Sequence, residues 1–237
     1  MDIQLHKTTP PLIIPSFVIN LKRRPDRLAL FTQRCPLEDV FLVPGFDAKD
    51  YSGELSEDID FFSRVKCKFP GESAVYISHM RIFHQILENN YAYGLIFEDD
   101  VEFCNGFLER YEQILKEVPS DTYILYIGGR FKPFHRMNKF NCSAVSEHIV
   151  KHKIHSNLSD QCDTDRTAHA YIISNSGARV LLEYFYSLET ITFPFDDLML
   201  NFFLKNNIPV YNSLPLLCHS PIIGDSDIRH PNTTGSN

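Results

Sequence analysis

Tyr93-Gly94-Leu95-Ile96-Phe97-Glu98-Asp99-Asp100-Val101 joins an apolar run of strand length directly to three consecutive carboxylates. A short segment of branched and aromatic residues that stops abruptly at charge has the pattern of a buried strand. In α/β sheets the carboxyl ends of strands open onto the ligand crevice, so the acids fall where a site would be. Three adjacent carboxylates repel one another, and a bound cation is the simplest remedy.

Outward from this stretch the chain alternates between strand and helix signals. Before it, residues 72–90 carry Val75, Ile77, Met80, Ile82, Phe83, Ile86 and Leu87 mostly at helical spacing, opened by Pro70-Gly71. Earlier still, residues 16–21 (SFVINL) read as a strand, 22–27 as a basic loop leading into a helix that runs through Gln33, and 40–43 as a second strand. The polar stretch from there to Asp60 reads as loop. After the acids, residues 106–118 are helical and 122–127 form a strand ended by Gly128-Gly129. Residues 130–166 are polar and irregular, with a strand around 149–154, and form an insertion that could face an acceptor. Residues 168–174 (AHAYIIS) are a strand, Ser174-Asn175 cap a helix over 176–187, a further helix spans 195–206, and a short strand lies near 209–212. This alternation predicts an α/β sandwich. With no internal repeat, it reads as a single domain over 1–237, with an N-terminal arm at 1–15 and a tail at 229–237.

Composition narrows the function classes. The chain has 237 residues, 43% hydrophobic and 22% charged, which suits one large core. A formal charge of −7 argues against a general nucleic-acid or anionic-membrane surface, so any polyanion must be gripped locally. No run approaches a membrane span, and the proline-broken N-terminus does not read as a signal peptide; a cytoplasmic location is expected, with peripheral membrane association still open. The 6 cysteines form no C-x-x-C pair, so neither a zinc ribbon nor a disulfide scaffold is indicated. The sequons at Asn141, Asn157 and Asn232 carry weight only in an exported chain. With no tryptophan, any stacking on a sugar or base must use the Phe and Tyr rings.

Several residues carry chemical promise, each beside a plainer reading. The two-residue pleat sends Glu98 and Asp100 to one side and Asp99 to the other, making Glu98 and Asp100 the first choice for metal and nucleotide contact. The plain alternative is a solvated acidic turn. Arg23, Arg24 and Arg27, with Lys22, concentrate positive charge at a strand-to-helix junction that would suit a diphosphate, or are simply an exposed basic loop. Dinucleotide and P-loop glycine motifs are absent. His169 and Tyr171 share one strand face, where Tyr171 either meets a sugar or packs in the core. His79 sits on an amphipathic helix, where it is either structural or donor-facing. Asp196 and Asp197 open a helix, as dipole partners or as a general base for an acceptor hydroxyl, and His219 is a candidate late metal ligand.

Five blocks in order, FVINLKRRPDR (17–27), GESAVYISHMRIF (71–83), LIFEDDV (95–101), AHAYIISNSGA (168–178) and GDSDI (224–228), resemble glycosyltransferase family 25, the group of lipopolysaccharide and procollagen galactosyltransferases. The resemblance implies a GT-A type fold, a Rossmann-like α/β/α sandwich built on a mixed sheet. It also implies inverting transfer of galactose or glucose from a UDP-sugar to a glycan or hydroxylated protein acceptor, aided by Mn²⁺ or Mg²⁺. By the same resemblance Asn20 and residues 24–27 line the donor end, Glu72, Ser78 and His79 sit on a helix beside it, and Glu98-Asp99-Asp100 is the metal motif. Two rival classes are a catalytically silent nucleotide-sugar or glycan-binding module of the same fold, and a nucleotidyltransferase or phosphatase.

Overall fold

The structure, a computed structural model, describes residues 14–130, 142–152, 168–220 and 227. Chain order is β1 (Ser16–Asn20), α1 (Pro25–Arg34), β2 (Val40–Pro44), α2 (Ser56–Arg64), α3 (Pro70–Glu88), β3 (Tyr93–Glu98), β4 (Glu102–Phe103), α4 (Phe107–Glu117), β5 (Ile124–Tyr126), β6 (Gly128–Arg130), β7 (Cys142–Ala144), β8 (Ile149–His152), β9 (Ala170–Ser174), α5 (Asn175–Ser187), α6 (Phe195–Lys205), β10 (Val210–Ser213) and β11 (Cys218–Ser220). Eight strands form one mixed sheet in the order β2-β1-β3-β9-β5-β10-β8-β7, and β4-β11-β6 form a second, small one.

Strand alternation builds a layer on each face of the large sheet. Phe17, Ile96, Tyr171 and Ile173 join a core with α3, α5 and α6, through residues such as Ile77, Phe83, Leu181 and Phe195. Their neighbours Val18, Leu95, Phe97 and Ile172 join a second core with α1 and α4, through Phe31, Phe107 and Ile114. This three-layer α/β/α arrangement is the fold class expected of the sequence. Gly94 is required where β3 passes α3, because an added Cβ would lie 2.5 Å from Cδ1 of Ile86.

Sheet order also sets the working edge. β1 and β3 run parallel with Ile19 beside Glu98, so both strands end together. β9 enters antiparallel to β3, with Ala170 opposite Phe97, which brings the start of β9 to the same edge.

Three sequence expectations need correction. The stretch before Asp60 is not all loop: α2 starts at Ser56, with Glu57 and Asp58 in its first turn and buried Phe61 on its inner face. Gly128-Gly129 do not merely end a strand but form β6 of the small sheet, where a Cβ on Gly128 would lie 2.7 Å from that of Ala170. The 130–166 stretch contains a β7–β8 hairpin that extends the main sheet through β10, with 145–148 as its connection. The rest of that stretch, the asparagines of the three sequons and the 1–13 arm lie outside the described residues, as does the tail beyond Asp227. No helix among the described residues is long and apolar enough to cross a membrane.

Candidate functional site

Glu98, Asp100 and His169 come together at the edge where β3 ends. The Glu98 amide donates to the His169 carbonyl at 2.9 Å, which fixes the two backbones side by side. Nε2 of His169 lies 3.7 Å from Oε2 of Glu98 and 3.9 Å from Oδ2 of Asp100. One ligand atom from each of the three falls within 4.8 Å of the others. Ser220, delivered by the small sheet, donates its hydroxyl to Oδ2 of Asp100 at 3.2 Å. β3 ends at Glu98 and the two aspartates lie in the turn that follows: Glu98 meets His79 of α3, while Asp99 and Asp100 are both within reach of Arg27 of α1.

Behind Glu98 stands a buried pair. Nε2 of His79 is 3.7 Å from Oε1 of Glu98, its Nδ1 is 2.7 Å from the Tyr171 hydroxyl, and its ring stacks on Phe195 with centroids 4.4 Å apart. Tyr171 is fully buried and His79 nearly so, and both stand behind the Glu98 carboxylate. Burial pushes the Tyr171 hydroxyl well up and the His79 imidazole down toward its neutral form. The same burial would raise Glu98, but the neighbouring imidazoles of His169 and His79 outweigh it and hold that carboxyl below its ordinary range. Asp100 is pushed up by burial, with Glu98 adding to the shift.

On the α1 side, buried Asn20 donates to Oδ2 of Asp99 at 2.6 Å and to the Arg24 carbonyl at 2.9 Å, stapling the basic loop to the acid triplet. Arg27 pairs with Oδ1 of Asp99 at 2.6 Å and reaches Oδ2 of Asp100 at 3.2 Å. Burial still raises Asp99 to about 6 despite Arg27 and Asn20. The arginine loop is not the open anion cradle its sequence suggests. Arg23 pairs with Asp47 at 2.6 Å and Asp227 at 2.5 Å, Arg24 with Asp26 at 2.9 Å and Asp227 at 2.5 Å, and Arg27 adds a 3.4 Å contact to Asp227. Three guanidinium groups therefore converge on one carboxylate that follows them by some two hundred residues.

Other expected residues lie elsewhere. Ser78 accepts the Phe46 amide at 2.9 Å and donates to the Ala74 carbonyl, a packing role behind α3. Glu72 accepts the Phe69 amide at 3.3 Å and so caps its own helix. His219 pairs across the small sheet with Glu102 at 3.2 Å and is not in the Glu98/Asp100/His169 group. Asp196 and Asp197 do open α6. Asp196 is half-buried and lifted to about 6, first by burial and then by Asp197, with Glu98 contributing, which puts it within the field of the strand-end acids. Asp197 is exposed, and its amide donates to Oδ1 of Asp196 at 3.0 Å.

A strand-end acid group beside an arginine junction, on a three-layer sandwich, agrees with the match that residues 13–199 make to "Glycosyltransferase family 25 (LPS biosynthesis protein)". The chain belongs to glycosyltransferase family 25. It is 27% identical over 169 residues to the "Procollagen lysyl hydroxylase and glycosyltransferase" of Acanthamoeba polyphaga mimivirus, covering 59% of this chain and 17% of that protein. It is 26% identical over 181 residues to "Procollagen galactosyltransferase 1" of Danio rerio, covering 70% and 28% respectively. It is also 29% identical over 127 residues to the "Probable inactive glycosyltransferase 25 family member 3" of Bos taurus, covering 47% and 21%. The chain thus spans well under a third of the length of these relatives.

For a member of glycosyltransferase family 25, the donor set suits a divalent cation. Two carboxylates supply hard oxygens and His169 a borderline nitrogen. Oδ1 of Asp100 and Nε2 of His79 are buried without a hydrogen-bond partner among the described residues, so the acids are only partly compensated by protein groups. His169, rather than His219, is the imidazole within reach.

Proposed function

We propose that this chain is a metal-dependent, inverting glycosyltransferase that moves a hexose, galactose or glucose, from a UDP-sugar to a hydroxyl of a glycan or protein acceptor. The observation that carries the reading is the grouping of Glu98, Asp100 and His169 at the strand edge. A divalent ion held by Glu98, Asp100 and His169 would offset the charge that develops on the departing diphosphate. Arg27 and Arg24 add positive charge beside it. Asp196 takes the proton from the acceptor hydroxyl as that oxygen bonds to the anomeric carbon from the face opposite the breaking carbon–oxygen bond. UDP leaves with the electron pair, and one displacement inverts the configuration.

The test is turnover with UDP-galactose and UDP-glucose plus Mn²⁺, reading free UDP and the mass of the glycosylated acceptor. Release of phosphate or pyrophosphate would instead mark a nucleotidyltransferase or phosphatase. Similarity to a relative named as probably inactive supports a second reading, a silent binding module. That module would bind UDP without transferring sugar from any donor. In either case UDP and Mn²⁺ should bind together, since cation and phosphates share the acid edge. EDTA is expected to weaken UDP binding in calorimetry, and equal affinity with and without metal would dismiss a metal bridge.

Asp227 supplies a second expectation. Its carboxylate holds the three arginines that a diphosphate would need, so the donor must compete with it. Asp227→Asn should tighten UDP binding about 5- to 10-fold, the equivalent of about 1 kcal/mol in half-buried ion pairing. Weaker UDP binding in that variant would make Asp227 a partner of the donor instead of a competitor.

A further inference from the structure

Phe193 is 56% exposed, yet the backbone that carries it is held firmly. The Tyr76 hydroxyl donates to the Phe193 carbonyl at 2.8 Å and the Cys67 thiol to the same oxygen at 3.1 Å. Two residues earlier, Ile191 is bracketed by Arg64 and Lys66, its amide donating to one carbonyl at 3.1 Å and its carbonyl accepting the other amide at 2.6 Å. Two residues later, the buried Phe195 ring meets Tyr76 edge-on at 5.2 Å and stacks on His79. Tyr76 therefore ties Phe193 to the first turn of α6, where Asp196 stands three positions further on.

The other large exposed aromatics have ring partners. Phe41 packs on Phe17, Tyr51 on Phe46, and Tyr186 on Phe61 while its hydroxyl meets His84. Phe193 has no such ring partner among the described residues. A bare phenyl on a pinned backbone, three residues ahead of the half-buried Asp196, offers an open apolar face. A phenyl face can take the apolar C–H face of a pyranose, and in a chain without tryptophan that task falls to Phe or Tyr.

We infer that Phe193 is the platform on which the acceptor is held next to Asp196, and that the acceptor is a pyranose-terminated glycan stacked on this ring. The assignment rests on the proposed function for its acceptor and base, but binding can be read without transfer.

The probes are methyl β-D-galactopyranoside, methyl β-D-glucopyranoside and methyl α-D-mannopyranoside, with a hydroxylysine-containing collagen peptide as the rival. Saturation-transfer NMR is recorded on the full chain with UDP and Mn²⁺, for the wild type, Phe193→Ala and Phe193→Tyr. At least one glycoside should receive saturation from the protein, lose most of it in Phe193→Ala and keep it in Phe193→Tyr, with unchanged melting temperature and UDP affinity. Where transfer is measurable, the acceptor KM should rise about 5- to 20-fold in Phe193→Ala while the donor KM stays fixed. Glycoside signals that are absent or indifferent to Phe193, or a Phe193-dependent signal from the peptide alone, would overturn the inference. Glycoside binding that depends on Phe193 without any sugar transfer would leave it standing and count against the proposed activity.

Discussion

Asp100→Asn is expected to lower metal-dependent UDP affinity by at least about 100-fold, while UDP affinity measured in EDTA barely changes. The lower bound follows from the 10- to 100-fold losses usual for groups that only orient a ligand, since Asp100 would touch the ion itself. The substitution preserves shape, and Ser220 can still donate to the remaining carbonyl oxygen, so the fold should survive. It also removes the charge that Arg27 meets at 3.2 Å, leaving that guanidinium paired with Asp99. His169→Ala should reproduce the metal defect without disturbing Arg27, which separates loss of the ion from reorganisation of the arginine junction. Ser220→Ala, acting one bond further out, should cost less than either. Calorimetric titration of UDP with and without Mn²⁺ checks all three, and retained metal-dependent binding in Asp100→Asn would remove the strand-end acids from the metal site.

What the sequence could show of this site follows strand by strand. β1, α1, α3, β3 and α5 announce themselves, because each pairs a clear apolar period with a local stop such as Pro25, Pro70, the acids after Phe97 or the Ser174 cap, whose hydroxyl accepts the Gly177 amide. The sides taken by Asp99 and Asp100 are not legible from the pleat, because β3 ends at Glu98 and both lie in the turn that follows. His169 is hidden for a different reason. Its place beside Glu98 depends on β9 running antiparallel between β3 and β5, and strand direction leaves no mark on AHAYIIS. The same insertion puts Tyr171 in the core, where it bonds His79 instead of meeting a sugar. The arginine junction is legible only in part. Local charge density is visible in residues 22–27, but the acids that neutralise it, Asp47, Asp99, Asp100 and Asp227, are brought in by tertiary structure. His219 is a late histidine whose strand pairs it with Glu102 on the small sheet, a partner that no local pattern marks.

Asp196→Asn is expected to bind UDP and Mn²⁺ nearly as the wild type does yet to transfer sugar roughly 10² to 10⁴ times more slowly. The asymmetry arises because a general base acts only as the acceptor proton departs, whereas a metal ligand already acts on the bound donor. Adjacent residues on a helix lie about 100° apart, so Asp196 and Asp197 cannot both face the acceptor. Their surroundings distinguish them: Asp196 is half-buried and feels Glu98, while Asp197 is exposed and offers its amide to the Asp196 carboxylate. Asp197→Asn keeps that amide and should cost only a few-fold. The pH profile supplies an independent check. A base is active when deprotonated, so with the Asp196 carboxyl lifted to about 6, turnover should climb with pH toward that value and level off above it. Compensation of Glu98 and Asp100 by a bound cation would relieve part of the repulsion on Asp196, so in the metal-loaded enzyme the rise should sit at or below about 6. Asp196→Asn should lose this limb as well as the rate. Full turnover in Asp196→Asn, or an unchanged acidic limb, would assign the proton to a different group; a large loss in Asp197→Asn with a normal Asp196→Asn would move the base one position along α6.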